Sequence, residues 1–175
     1  PDYAVHHPAG TANGTTVFLL HGAFGAKEYW RSQVQAMIHA GYRVVSWDAP
    51  GYGLSVLPPS LTIDHCAQVL ALLLAKEAGA RNVVMGHSMG GMIAQHMADL
   101  APQRVESLTL LMTSSGAPGL PAPSPQLLEQ LARREAPDRA AAIAQQADLL
   151  AALGSPQLPS DRAQLLREAE RSYDR

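Results

Sequence analysis

The segment that most constrains the fold is Asn82-Val-Val-Met-Gly-His-Ser-Met-Gly-Gly-Met92. An apolar, β-branched run leads into Gly86-His87-Ser88-Met89-Gly90, and a helical pattern leads out. A serine flanked by glycines two residues before and two after fits a very tight strand-to-helix turn with a strained backbone. Only glycines at those two places let the strand and the helix pass so closely. The turn holds the hydroxyl out at the carboxyl end of a sheet, where open α/β sheets bind ligands. The helix that opens there aims its positive end at any oxyanion formed on the serine. The bare pattern turns up in roughly one random chain in twenty of this length, so its weight comes from the strand before it and the helix after it.

The surrounding sequence supplies a sheet for such a turn. Val17–Leu20, Arg43–Trp47, Asn82–Gly86 and Ser107–Met112 are short apolar runs bounded by Gly, Asn, Arg or Pro. Unbroken apolar strands predict burial on both faces, as in a parallel sheet. Tyr3–His7 is a candidate earlier strand. Between the strands, Trp30, Val34, Met37 and Ile38 recur at helical spacing before Gly41. Ile63–Ala78 forms a second helix closed by Gly79, and Ser88–Leu100 a third, stopped before Pro102. This alternation predicts an α/β fold with a mostly parallel sheet.

Beyond about Ala117 the texture changes. Four prolines mark an irregular crossing, and three helical stretches follow with no strand between them. Ser124 with Pro125, Asp138 and Ser160 are the expected N-caps, and Gly154 the expected end of the middle helix. The expected division is 1–120, the N-terminal part of the sheet domain, and 121–175, an incomplete helical cap inserted on top of the sheet.

Two more motifs agree with the serine turn: Leu19-Leu20-His21-Gly22-Ala23-Phe24-Gly25 after the first clear strand, and Asp48-Ala49-Pro50-Gly51-Tyr52-Gly53-Leu54-Ser55 after the next. In this order the three motifs resemble the α/β-hydrolase superfamily, over Val17 to about Met112. The proline-rich crossing and the later "GSPQLP" and "RSYDR" segments are similar to a bacterial subgroup related to aclacinomycin methylesterase. The resemblance implies that Ser88 is a nucleophile and that the backbone amides of Ala23 and Met89 form an oxyanion hole. It implies that Asp48 is structural, tying down the loop after its strand, and that Phe24, Trp30 and Met89 border the acyl pocket.

Other readings of the same residues are open at this level. Ser88 could be an ordinary helix N-cap, and His21 or His87 could be proposed as a general base, although both positions are structural in the superfamily. His96 lies eight residues along the helix from Ser88, about 12 Å away on the axis, too far to reach the hydroxyl. His6, His7, His39 and His65 read as surface residues. Met85, Met92 and Met97 read as core packing, and Cys66 as a small core residue. Gly22-x-x-Gly25 lacks the first glycine of a dinucleotide fingerprint. Acyl-carrier-protein acyltransferases share a G-H-S-x-G serine, but with a different following residue and fold.

Composition narrows the partners. With a formal net charge of -2 and a pI near 6.4, the chain has no basic excess for nucleic acid. No metal-ligand spacing is present and no cofactor is expected. A single cysteine allows no internal disulfide, no run of 18 apolar residues exists, and the expected location is cytoplasmic. The expected partner is a small-molecule ester of medium to bulky apolar character. The superfamily order is serine, acid, histidine, yet the loop Thr113–Gly119 has no carboxylate and no later histidine appears. The chain is therefore expected to stop before its acid and base, with a missing C-terminal portion or a neighbouring chain at the Ser107–Met112 edge. The resulting expectation is a serine hydrolase of carboxylic esters. The alternatives are a C–C bond or enol-lactone hydrolase on the same scaffold, or a non-catalytic ligand-binding protein.

Overall fold

A computed structural model of the chain describes residues 1–132, 136–155, 157–158 and 160–173. The parts of the expected cap at 133–135, 156, 159 and 174–175 lie outside the described residues. The chain divides into two units, Pro1–Pro118 and Gly119–Arg175.

The first unit is built on a mostly parallel sheet. Its strands are β1 (Tyr3–His6), β2 (Thr15–Leu20), β3 (Arg43–Trp47), β4 (Arg81–His87) and β5 (Ser107–Leu111). Among the described residues their order is β1-β3-β2-β4-β5, with β1 antiparallel to β3 and the other neighbours parallel. The helices are α1 (Arg31–His39), α2 (Ile63–Glu77) and α3 (Met89–Leu100), and short 3-10 turns span Lys27–Trp30 and Pro102–Arg104. The strand assignments from sequence agree with these bounds to within two residues, because each apolar run is punctuated at both ends.

Alternation of side chains along the strands divides the core into two layers. Phe18, Leu20, Val45 and Trp47 pack with Leu70, Leu74, Ile93 and Met97 of α2 and α3. On the other face Val17, Leu19 and Val44 pack with Trp30 and Val34. β2 is buried throughout, as an apolar parallel strand should be. β5 lies at the edge that the sequence was expected to leave open. Its sequence is as apolar, yet Leu110, Leu111 and Met112 are exposed, because among the described residues β5 pairs with β4 alone.

Two glycines expected to end helices play different parts. Gly41 ends α1 as expected, at φ 85°, with its N–H on the Ile38 carbonyl. Gly79, expected as a helix end, directly follows the Ala78 C-cap of α2 and is also required for proximity: a Cβ there would lie 2.5 Å from Thr16 Oγ1 of β2.

In the second unit α4 (Pro125–Ala132), α5 (Arg139–Leu153) and α6 (Arg162–Tyr173) are all helical. Ser124 Oγ accepts from the Leu127 amide and Asp138 from the Ala141 amide, both expected caps. The third cap is Asp161, whose carboxylate accepts from the Ala163 amide, and not Ser160; the helix starts one residue later than expected, so the capping position moves with it. Ile143, Ala147, Leu165 and Ala169 join α5 to α6. No described helix is long and apolar enough to cross a membrane.

The α3 entry is closely packed against the end of β2. A Cβ on Gly90 would lie 2.3 Å from the Leu20 carbonyl oxygen and 2.6 Å from that of His21, whereas one on Gly10 would meet nothing within 4 Å. Gly90→Ala should therefore destabilise the protein by about 3 kcal/mol or more, and Gly10→Ala by no more than about 0.5 kcal/mol, as read by chemical denaturation. Equal stabilities would contradict the close approach.

Candidate active site

Ser88 is the hinge between β4 and α3. Its backbone sits at φ 52°, ψ −119°, a region that residues with a Cβ rarely enter. Such a conformation costs about 1–3 kcal/mol and persists only where neighbours fix it. Here they do so on both sides of the residue. The Ser88 N–H donates to the Leu111 carbonyl at 2.9 Å, and its carbonyl accepts from Gly91 N–H at 2.9 Å and from Thr113 Oγ1 at 2.7 Å. The end of β5 thus brackets the turn.

The glycines around it leave no room for side chains. A Cβ on Gly86 would lie 2.4 Å from the Gly90 carbonyl oxygen, and one on Gly91 would lie 2.6 Å from Thr113. The first contact is what the serine pattern predicts. The Gly91–Thr113 contact was not anticipated from sequence, although the second glycine of the Gly90-Gly91 pair, unneeded by the five-residue pattern, is its signal.

The Gly22–Gly25 segment lies beside this turn, since a Cβ on Gly22 would sit 2.9 Å from Ser88 Cβ. Gly25 N–H closes the turn onto the Gly22 carbonyl at 3.0 Å, and Phe24 is held at φ 63°. Two clamps secure it. The first is His21, 2 % exposed. Its Nε2 accepts the Ala49 N–H at 3.0 Å, so Nδ1 carries the proton and donates to the Gly22 carbonyl at 2.8 Å. Burial pushes this imidazole below its ordinary pKa, against the opposing pull of the Gly22 carbonyl and Asp48. His21 is therefore a neutral structural link with no lone pair left to act as a base. The second clamp is Asp48, whose carboxylate accepts the Lys27 N–H at 2.8 Å and also pairs with Lys27 Nζ. It reaches beyond its own loop and ties the segment after β2 to the end of β3. Lys27 also meets Asp2 at 2.7 Å; desolvation opposes its charge, but these carboxylates outweigh it and raise its pKa.

The Met89 amide opens α3 and so has no partner within the helix, and among the described residues neither it nor the Ala23 amide has a hydrogen-bond acceptor. Phe24 is 54 % exposed and Met89 half-buried. Trp30 is not brought to the serine. It is 7 % exposed in the layer with Val17, Leu19, Val34 and Val44, while Met89 packs against the opposite layer.

Among the described residues nothing hydrogen-bonds the Ser88 hydroxyl. His87 is pushed down in pKa by burial. His96 pairs with Asp64 at 2.8 Å on the α2–α3 surface, away from the turn. No described group of three or more His, Cys, Asp or Glu side chains could hold a metal ion.

The model of the alpha/beta hydrolase fold family matches residues 15–167, and the chain belongs to that family. It is 34% identical over 103 residues to the AB hydrolase superfamily protein YfhM of Bacillus subtilis, covering 57% of this chain and 36% of that protein. It is 33% identical over 129 residues to a 2-hydroxy-6-oxononadienedioate/2-hydroxy-6-oxononatrienedioate hydrolase of Cupriavidus pinatubonensis, covering 71% of this chain and 45% of that one. A thermophilic esterase from Thermogutta terrifontis superposes with a TM-score of 0.57 at 28% identity, over 73% of this chain and 44% of that structure. The chain thus spans less than half the length of each of these relatives.

The state of His21 has a consequence for stability. Its pKa is lowered on folding, so below about pH 6.5 the unfolded chain takes up the proton first. The stability from the neutral imidazole is present above that pH and is lost as pH falls through the folded value. Urea midpoints measured from pH 7.5 to 5 should fall more steeply for the natural sequence than for His21→Gln. His6 and His87 are common to both proteins, so the difference isolates His21; parallel slopes would contradict the assignment.

Proposed function

We propose that this chain carries the nucleophile portion of a serine hydrolase acting on carboxylic esters. Ser88 Oγ attacks the ester carbonyl, and the amides of Ala23 and Met89 stabilise the oxyanion of the tetrahedral intermediate. A histidine outside these 175 residues takes the Ser88 proton and passes it to the departing alcohol as the carbon–oxygen bond breaks. An acid, also outside them, orients that histidine. Water then attacks the acyl group as the same histidine takes a proton from it, that proton is delivered to Oγ when the acyl–oxygen bond breaks, and the carboxylic acid leaves. Phe24 and Met89 border the acyl group, and Asp48 and His21 hold the oxyanion loop without touching substrate.

The observation that carries this reading is the strained Ser88 turn, with a hydroxyl and two flanking amides, of Ala23 and Met89, that have no hydrogen-bond partner among the described residues. The likeness to the Thermogutta terrifontis esterase supports the ester. The Cupriavidus pinatubonensis relative, named for a dienedioate substrate, supports a second reading. There Ser88 serves the same scaffold on a C–C bond or an enol-lactone.

In the full-length protein a fluorophosphonate should label Ser88. Ser88→Ala should abolish labelling and lower kcat on p-nitrophenyl esters by roughly 10⁴-fold or more. Full ester turnover in Ser88→Ala would remove the assignment. Ser88-dependent cleavage of a dienedioate with no turnover of simple esters would favour the second reading.

A further inference from the structure

Tyr52 belongs to the Asp48–Ser55 motif, yet neither the sequence pattern nor the proposed chemistry uses it. Its place in the fold is specific. Its N–H donates to the Ala49 carbonyl at 2.9 Å, and its carbonyl accepts from Ser55 N–H at 2.9 Å, so the backbone is held in a turn. Its ring meets the His21 ring edge-on, with centroids 5.0 Å apart and an interplanar angle of 62°. Its hydroxyl reaches the Met89 sulfur at 3.8 Å. His21 in turn donates to the Gly22 carbonyl and accepts from Ala49. One side chain therefore touches both segments whose amides remain unpaired, the Gly22–Gly25 loop through His21 and the start of α3 through Met89.

We propose that Tyr52 is a positioning residue of the oxyanion hole, a phenol seated on His21 and tied to Met89 that sets the distance between the Ala23 and Met89 amides. The proposal rests on the serine-hydrolase reading above. Oxyanion donors act only within a narrow range of distances from the developing charge, and a loop containing a non-glycine residue at φ 63° relaxes unless held. The link to Met89 is an O–H···S bond, weak by itself. It matters here because it orients rather than supports the fold. Tyr52 is half-buried, so removing only its hydroxyl leaves the ring packing on His21 intact.

The test compares natural, Tyr52→Phe and Ser88→Ala full-length proteins on a p-nitrophenyl ester and with a trifluoromethyl ketone, which forms an oxyanion-bearing adduct on a serine. Tyr52→Phe should lower kcat by about tenfold, since a misaligned donor costs less than the roughly 10²–10³ of a deleted one. KM should stay within about twofold, and the inhibition constant of the ketone should rise by about the same factor as kcat falls. A purely structural role would move the melting temperature and not the ketone affinity. Met89→Leu, which keeps the amide and removes the sulfur, should give the same pattern. The effects of the two substitutions should be less than additive in the double variant. If Tyr52→Phe fails to fold, Met89→Leu carries the test through a matched fall in kcat and ketone affinity at unchanged KM, since a lost contact with the acyl group raises KM instead. Unchanged kcat and ketone affinity in a folded variant would overturn the proposal, as would a raised KM at constant kcat, which would place Tyr52 against substrate. Full activity in Ser88→Ala would overturn the underlying reading instead.

Discussion

The site depends on one unfavourable backbone conformation. Ser88 lies where a side chain is poorly tolerated, and the rest of the first unit is arranged so that it cannot leave. β5 takes its N–H and Thr113 its carbonyl, while Gly86 and Gly90 let β4, α3 and the end of β2 come within backbone contact. The strain places a small hydroxyl at the sheet's carboxyl end without a partner among the described residues, where a substrate atom can take that place. A relaxed turn would turn the hydroxyl back onto the helix as an ordinary N-cap.

A second set of constraints acts on the loop after β2. That loop has no regular structure until Lys27, yet it lies against the serine. Its position is set by buried polar groups that are all satisfied: a neutral imidazole bridging Gly22 to Ala49, and a carboxylate, 1 % exposed, bridging Lys27 to the end of β3. Buried polar networks of this kind are costly if any member is missing and stiff when complete. Stiffness is what an oxyanion hole requires, because its donors must already be in place when charge develops.

Much of this was legible in the chain. The strands of the first unit could be read because each is a short apolar run with punctuation at both ends, and the serine turn because its glycines serve a local steric need. What depends on non-local contact was not legible. Trp30 reads as a pocket aromatic but packs beneath the sheet with Val34 and Leu19, since the helical repeat does not say which layer it faces. β5 reads as apolar on both faces, and the exposure of Leu110 and Leu111 agrees with the open edge expected at Ser107–Met112. Thr113 and Tyr52 carry no local signal of these contacts, since the Ser88 carbonyl and the Met89 sulfur that they reach lie across the fold. The shift from Ser160 to Asp161 at α6 reflects two adjacent capping residues, between which sequence does not choose.

The central claim is geometric: Ser88 Oγ and the amides of Ala23 and Met89 converge on one oxygen. A crystal structure of the full-length protein inhibited by a phosphonate tests it most directly. A covalent bond from Ser88 Oγ to phosphorus is predicted, with one phosphonyl oxygen about 2.7–3.1 Å from both amide nitrogens. A phosphonyl oxygen turned away from Ala23 and Met89, or an adduct on another side chain, would contradict it.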